Sequence, residues 1–207
     1  MRPVSLEPFW AALPFAPTNA QRRAAGELLG DLTKKTPMNR LLQGDVGSGK
    51  TLVAAAGVYA AAQNGYQSVL MAPTEILAAQ HAETLERLLA PLGVRTALLT
   101  GSVKGRAKKE LLRAVESGEA QLVIGTHAVL GEGVRFARLG FAVTDEQHRF
   151  GVRQRGQLAA KADHPHLLVM SATPIPRTLG LLMFGDLDIS VLDELPPGRT
   201  PVAGPEV

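Results

Sequence analysis

Residues 44–51 read Gly44-Asp45-Val46-Gly47-Ser48-Gly49-Lys50-Thr51. This octet constrains the fold more than any other stretch of the chain. It fits the spacing G-x-x-x-x-G-K-[ST], which works only between a strand and a helix. The apolar run 40–43 before it reads as a strand, and the alanine-rich run 51–63 after it reads as a helix. The glycines let the backbone curl with its N–H groups pointing inward, and the helix N-terminus adds positive partial charge. The ligand that suits such a cradle is a polyphosphate. Lys50 has the reach for β- and γ-phosphates, and the Thr51 hydroxyl for a Mg²⁺ ion. Gly44, Gly47, Ser48, Gly49, Lys50 and Thr51 are therefore the candidate phosphate-binding residues. The loop alone does not separate kinases, GTPases, transporters and motor ATPases.

The flanking sequence repeats the same rhythm. Short apolar stretches at 40–43, 68–71, 95–99, 121–125, 141–144 and 167–170 read as strands. Between them, 51–63, 75–89, 108–117 and 176–184 read as helices. A further helix starts where Thr18 and Gln21 fit a capping box, with Ala24, Leu28 and Leu32 then on one face. Such alternation predicts an α/β fold, a parallel sheet with helices on both faces. Ligands of such sheets bind beyond the carboxyl ends of the strands. At 207 residues the chain has room for one such domain, and aromatics at 4% leave the core to Ala, Leu and Val. Residues 1–14 read as a lead-in, 15–192 as the lobe, and 193–207, with four prolines, as a linker.

Composition excludes several classes. Hydrophobic residues at 45% and charged residues at 20% do not suit a disordered chain. The absence of cysteine removes disulfides, thiolate metal sites and cysteine nucleophiles. No apolar run approaches the roughly 18 residues of a membrane span. Pro3 and Pro8 interrupt the stretch a signal peptide would need. The expectation is a cytoplasmic protein without a membrane partner. A net charge of +3 is only a weak pointer to an anionic partner.

A second motif follows the run 141–144: Asp145-Glu146-Gln147-His148. An acid at the end of a buried strand is costly unless paired. A Mg²⁺ ion would supply the partner, held by Asp145 directly or through water, opposite Thr51. Glu146 could then polarise an attacking water, which favours NTP hydrolysis over transfer to a hydroxyl. Ser171-Ala172-Thr173 also ends an apolar run, where its hydroxyls could bridge the acidic pair to whatever occupies the next cleft; Thr74 and Thr126-His127 end others, where hydroxyl and N–H groups could meet a phosphodiester backbone. Lys104, Arg106, Lys108 and Lys109 form a basic cluster between a strand and a helix. Trp10 reads as a packing residue.

The order and wording of these pieces resemble the first motor lobe of a superfamily 2 helicase over about residues 12–202. Within that superfamily the chain resembles the RecG family of ATP-dependent DNA helicases. The strings that carry the resemblance are GDVGSGKT at 44–51, GTHAVL at 125–130, DEQHRFGVRQR at 145–155, SATPIPRTL at 171–179 and GDLDISVLDELPPGR at 185–199. The transcription-repair coupling factor family is similar, but typically has Phe in place of Ser48, Glu in place of Gln147, and no such ending. The resemblance implies a P-loop NTPase fold of RecA-like type, ATP and Mg²⁺ as cofactors, and branched DNA (stalled forks, Holliday junctions) as partner in recombination and repair. It implies that Gln21 reads adenine with Phe15 upstream, and that Lys50, Asp145, Glu146 and His148 serve catalysis. It further implies that Ser171, Thr173 and Arg177 couple ATP state to DNA movement, and that Thr74, Gly101, Lys104, Thr126 and His127 lie along the DNA. A second motor lobe and an N-terminal wedge domain, which the family uses, do not fit within this length. The chain alone is thus expected to bind nucleotide weakly and to hydrolyse it poorly. Two other readings stay open: a coupling-factor-like translocase on duplex DNA, and a nucleotide-gated DNA-binding module without turnover.

Overall fold

A computed structural model describes residues 1–145, 151–172 and 187–193. Seven strands form one sheet: β1 (Asn39–Gly44), β2 (Gln67–Met71), β3 (Thr96–Leu99), β4 (Leu122–Gly125), β5 (Leu139–Asp145), β6 (His166–Ser171) and β7 (Asp188–Leu192). Their spatial order is β3-β4-β2-β5-β6-β1-β7, and every adjacent pair is parallel. All the carboxyl ends therefore lie along a single edge. The helices are α1 (Glu7–Ala11), α2 (Asn19–Leu32), α3 (Lys50–Gln63), α4 (Glu75–Leu89), α5 (Gly105–Ser117) and α6 (Val152–Lys161).

The sheet is buried on both faces, and successive strand residues serve alternate cores. Leu42, Leu70, Ile124, Phe141 and Leu168 pack with α2, α3 and α4. Leu41, Val69, Val123, Ala142 and Val169 pack on the other side, with Val115 of α5 and Leu158 of α6. The small side chains of α3 let it lie buried almost all round, from Leu52 to Ala61. The anticipated α/β architecture is what the chain adopts.

Several elements differ from the sequence expectation. The α5 helix begins at Gly105 rather than 108, because Arg106 and Ala107 are good helix formers and nothing there breaks the turn. Arg106, Lys108 and Lys109 thus lie on the helix, not in a connection, and Lys104 is its N-cap. Neither α6 nor β7 was anticipated. Residues 1–14 do more than lead in: Phe9 is wholly buried, and Trp10 packs against the same core. The helix anticipated over 176–184 lies outside the described residues. Among the described residues no helix is long and apolar enough to cross a membrane.

A charged cluster fastens the β7 side of the sheet. Buried Arg40 donates from Nε to Asp31 Oδ2 (2.7 Å), and from Nη1 to Glu27 Oε2 (3.2 Å) and Ser190 Oγ (2.9 Å). This joins α2, β1 and β7. Burial alone would raise the Asp31 carboxyl, but the hydrogen bonds and charges of Arg40 and Lys34 outweigh it and hold it below the ordinary value.

Candidate functional site

The phosphate loop leaves β1 at Gly44 and enters α3 at Lys50. Gly47 and Gly49 both take positive φ, 85° and 84°, which other residues rarely adopt. A Cβ on Gly44 would lie 2.3 Å from Ser48 Oγ. That hydroxyl is buried and has no hydrogen-bond partner among the described residues. Lys50 folds back over the loop, donating from Nζ to Gly44 O (2.6 Å) and Asp45 O (3.2 Å). Burial pushes the Lys50 ammonium below its usual pKa, and the charges of Asp145 and Asp45 partly offset this.

Gln21 meets the loop from α2. Its Oε1 accepts from Thr18 N (2.8 Å) while Gln21 N donates to Thr18 Oγ1 (3.1 Å), the reciprocal capping box expected from sequence. The amide Nε2 then points at Ser48 O (3.4 Å) and Gly49 O (3.5 Å). Phe15, upstream, is half exposed.

Register places the acidic strand relative to this loop. Gln43 of β1 pairs with Ser171 of β6, and Met170 pairs with Asp145 of β5. Asp145 is therefore two strand spacings from the loop, about 10 Å across the sheet. Thr51, Lys50, Asp145 and Ser171 share one stretch of the carboxyl edge. The sequence offered Asp145 a metal ion as partner; the fold adds a protein one. His81 of α4 donates from Nε2 to Asp145 Oδ2 at 2.7 Å. Sequence reading missed His81, since a single histidine on a helix carries no motif.

The remaining candidates follow the other strands. Thr74 follows β2 and caps α4, accepting from Leu77 N (3.2 Å). Gly101 follows β3 and donates its N–H to Glu75 Oε1 (2.7 Å). Thr126 and His127 follow β4. The strand order then divides the edge in two. The loops after β3, β4 and β2 carry the DNA candidates, β5 and β1 carry the nucleotide candidates, and β6 between them ends at the coupling candidate Ser171. Lys104 is exposed at the start of α5. Glu146, His148, Thr173 and Arg177 lie outside the described residues.

Residues 18–182 match the DEAD/DEAH box helicase family. The chain belongs to that family. Its sequence is also similar to ATP-dependent DNA helicases RecG. That of Streptococcus pneumoniae serotype 4 is 54% identical over 191 residues, covering 92% of this chain and 28% of the relative. That of Escherichia coli strain K12 is 53% identical over 196 residues, covering 93% and 28%. The chain thus spans little more than a quarter of these DEAD/DEAH relatives. The structure of RecG bound to a three-way DNA junction superposes with a TM-score of 0.81 and 43% identity, over 95% of this chain and 26% of that one. A DEAD box protein from Methanococcus jannaschii shares the fold at a TM-score of 0.64 and 22% identity, over 86% and 50%. The parallel-sheet helicase lobe expected from the motifs is the architecture found.

Proposed function

We propose that this chain is the first motor lobe of a RecG-type helicase, which couples ATP hydrolysis to the remodelling of branched DNA. The observation that carries the reading is the grouping of Lys50, Thr51 and Asp145 at one sheet edge around a loop with two positive-φ glycines. Relatedness to RecG over more than nine-tenths of the chain supports branched DNA as substrate.

The residues fit a magnesium nucleotide. The buried Ser48 hydroxyl, without a hydrogen-bond partner among the described residues, suits an acceptor oxygen of a phosphate. Mg²⁺ in such sites is held by one or two protein oxygens plus the phosphates themselves, which matches a donor set of Thr51 and Asp145. Thr51 and Asp145 would hold Mg²⁺, which would supply positive charge against the phosphate oxygens. Lys50 exchanges its two loop carbonyls for those oxygens, and the α3 N-terminus stabilises the same charge. Gln21 holds the loop and reads adenine with Phe15. Glu146 orients the attacking water, with His148 beside it in sequence. Ser171, Thr173 and Arg177 pass the nucleotide state to the DNA-facing half. There, Thr74, Gly101, Lys104, Thr126 and His127 hold the phosphodiester backbone. A second motor lobe completes the ATP site, a wedge domain splits the fork, and the protein works in the cytoplasm.

The test compares ATP turnover by this chain with turnover by a chain extended through a second motor lobe, on forked and on linear DNA. Forked DNA should stimulate the extended protein most, Glu146→Gln should abolish its turnover, and the 207-residue chain should be slow throughout. Equal stimulation by linear duplex, or normal hydrolysis by the extended Glu146→Gln protein, would contradict the reading.

A further inference from the structure

The geometry points to His81 as the positioning residue for Asp145: its imidazole fixes one carboxylate oxygen, so that the other is presented to Mg²⁺. The inference rests on Asp145 as a Mg²⁺ ligand and adds a residue from a separate helix.

Asp145 ends β5 with its side chain 23% exposed, and His81 faces it with 14%. A carboxylate here has no proton to give, so His81 Nε2 carries the hydrogen. At 2.7 Å the bond lies in the short, charge-assisted range. One imidazole N–H occupies Oδ2 and leaves the lone pairs of Oδ1 for another partner. Lys50 is a cation whose charge interacts with Asp145.

The imidazole is held on a rigid element. Ala78, Ala82 and Leu85 flank His81 on α4, and all three are buried. The N-terminus of α4 is tied down as well, through the Thr74 cap and the Glu75 bond to Gly101. The backbone that carries His81 is therefore anchored on the side of Asp145. Strand order gives the contact a further consequence. β2, which leads into α4, neighbours β5. The His81–Asp145 bond is thus a side-chain bridge from the helix capped by Thr74 to the nucleotide half of the edge.

Hydrogen-bond partners behind a metal ligand typically change metal affinity or activity by 10- to 100-fold when removed. The measurement is the binding of fluorescent ADP to the 207-residue chain, titrated with MgCl₂ and repeated in EDTA. His81→Leu should raise the Mg²⁺ midpoint by about 10- to 100-fold and leave the EDTA affinity unchanged. In His81→Gln the side-chain amide reaches about as far as Nε2 and can donate, so the midpoint should return close to wild type. A wild-type titration by His81→Leu overturns the proposal. So does equal impairment of the Gln and Leu proteins, or a matching loss in EDTA, since either means lost packing. Asp145→Asn is the control for the reading beneath: it should abolish the Mg²⁺ response. A full response in Asp145→Asn would overturn the assignment of Asp145 and this proposal with it, whereas a silent His81→Leu overturns His81 alone.

Discussion

The side-chain amide of Gln21 occupies the space that a Cβ on Gly49 would need, with only 1.9 Å between them. One residue thus caps its own helix and braces the phosphate loop 28 positions away. Gln21→Glu separates the two tasks. A glutamate keeps the acceptor for Thr18 N, and its charge suits a helix N-terminus. It loses the N–H groups that face Ser48 O and Gly49 O. The buried carboxylate also faces those two carbonyls without a donor, so the loop brace is lost with the cap intact, and both Tm and nucleotide affinity should fall. Gln21→Ala should lose brace and cap together, with a stability cost of about 1 kcal/mol from the broken capping box. Thermal denaturation alongside nucleotide titration measures both losses.

Lys50 gives a pH prediction. Burial lowers its pKa, and Asp145 is the larger of the two charges that oppose the shift. The ammonium is charged below its pKa, so metal-free nucleotide binding should weaken as pH rises through that value. Asp145→Asn removes the larger opposing charge. The alkaline limb of the binding profile, recorded in EDTA, should therefore move to lower pH in that variant.

Arg40 and Asp31 are a buried pair, and the Asp31 carboxyl is held below its ordinary pKa. Its contribution is complete above the unfolded carboxyl value near about 3.9 and is lost as pH falls through the lowered one. Removing Asp31 takes away the 2.7 Å bond to the buried Arg40 guanidinium. Asp31→Leu should cost about 3 kcal/mol and about 10 °C in Tm at neutral pH. Glu27 remains to hold Arg40, so Glu27→Leu combined with Asp31→Leu should cost more than either alone. Calorimetry of the three proteins measures this.

His166 supplies a separate acid-sensitive contact. Its Nδ1 accepts from Met38 N (2.9 Å), so the ring must be neutral at that nitrogen. Burial, followed by the positive amino terminus, pushes its pKa below the usual value, with Asp31 opposing. The unfolded chain therefore takes up the proton first. Stability should be full above about pH 6.5 and decline as pH falls below it. His166→Asn keeps an acceptor without a titration in this window, so the Tm of that variant should be flat where wild type falls.

Much of this was legible because the physics is local. Apolar runs marked the five inner strands and the edge strand β3, since a strand buried on both faces needs no polar alternation and β3 is apolar at three of its four positions. The phosphate loop and the Thr18–Gln21 capping box are patterns over a few residues. The strand β7 escaped notice because its exposure alternates along Asp-Ile-Ser-Val-Leu at the edge of the sheet, where no long apolar run is required. α6 escaped because Leu158 is its only buried residue. The His81–Asp145 bond and the Gln21 contact with Gly49 span 64 and 28 residues, and only the folded topology brings them together.

The central claim is that Lys50, Thr51 and Asp145 form one magnesium–nucleotide site. Calorimetric titration of the 207-residue chain with a non-hydrolysable ATP analogue, with and without Mg²⁺, tests it most directly. One nucleotide should bind per chain, and Lys50→Ala should weaken binding by about 10- to 100-fold, as expected for lost charged hydrogen bonds. Asp145→Asn should weaken binding only when Mg²⁺ is present. Equal affinity of wild type and Lys50→Ala, or an Asp145→Asn loss of the same size with and without Mg²⁺, would contradict it.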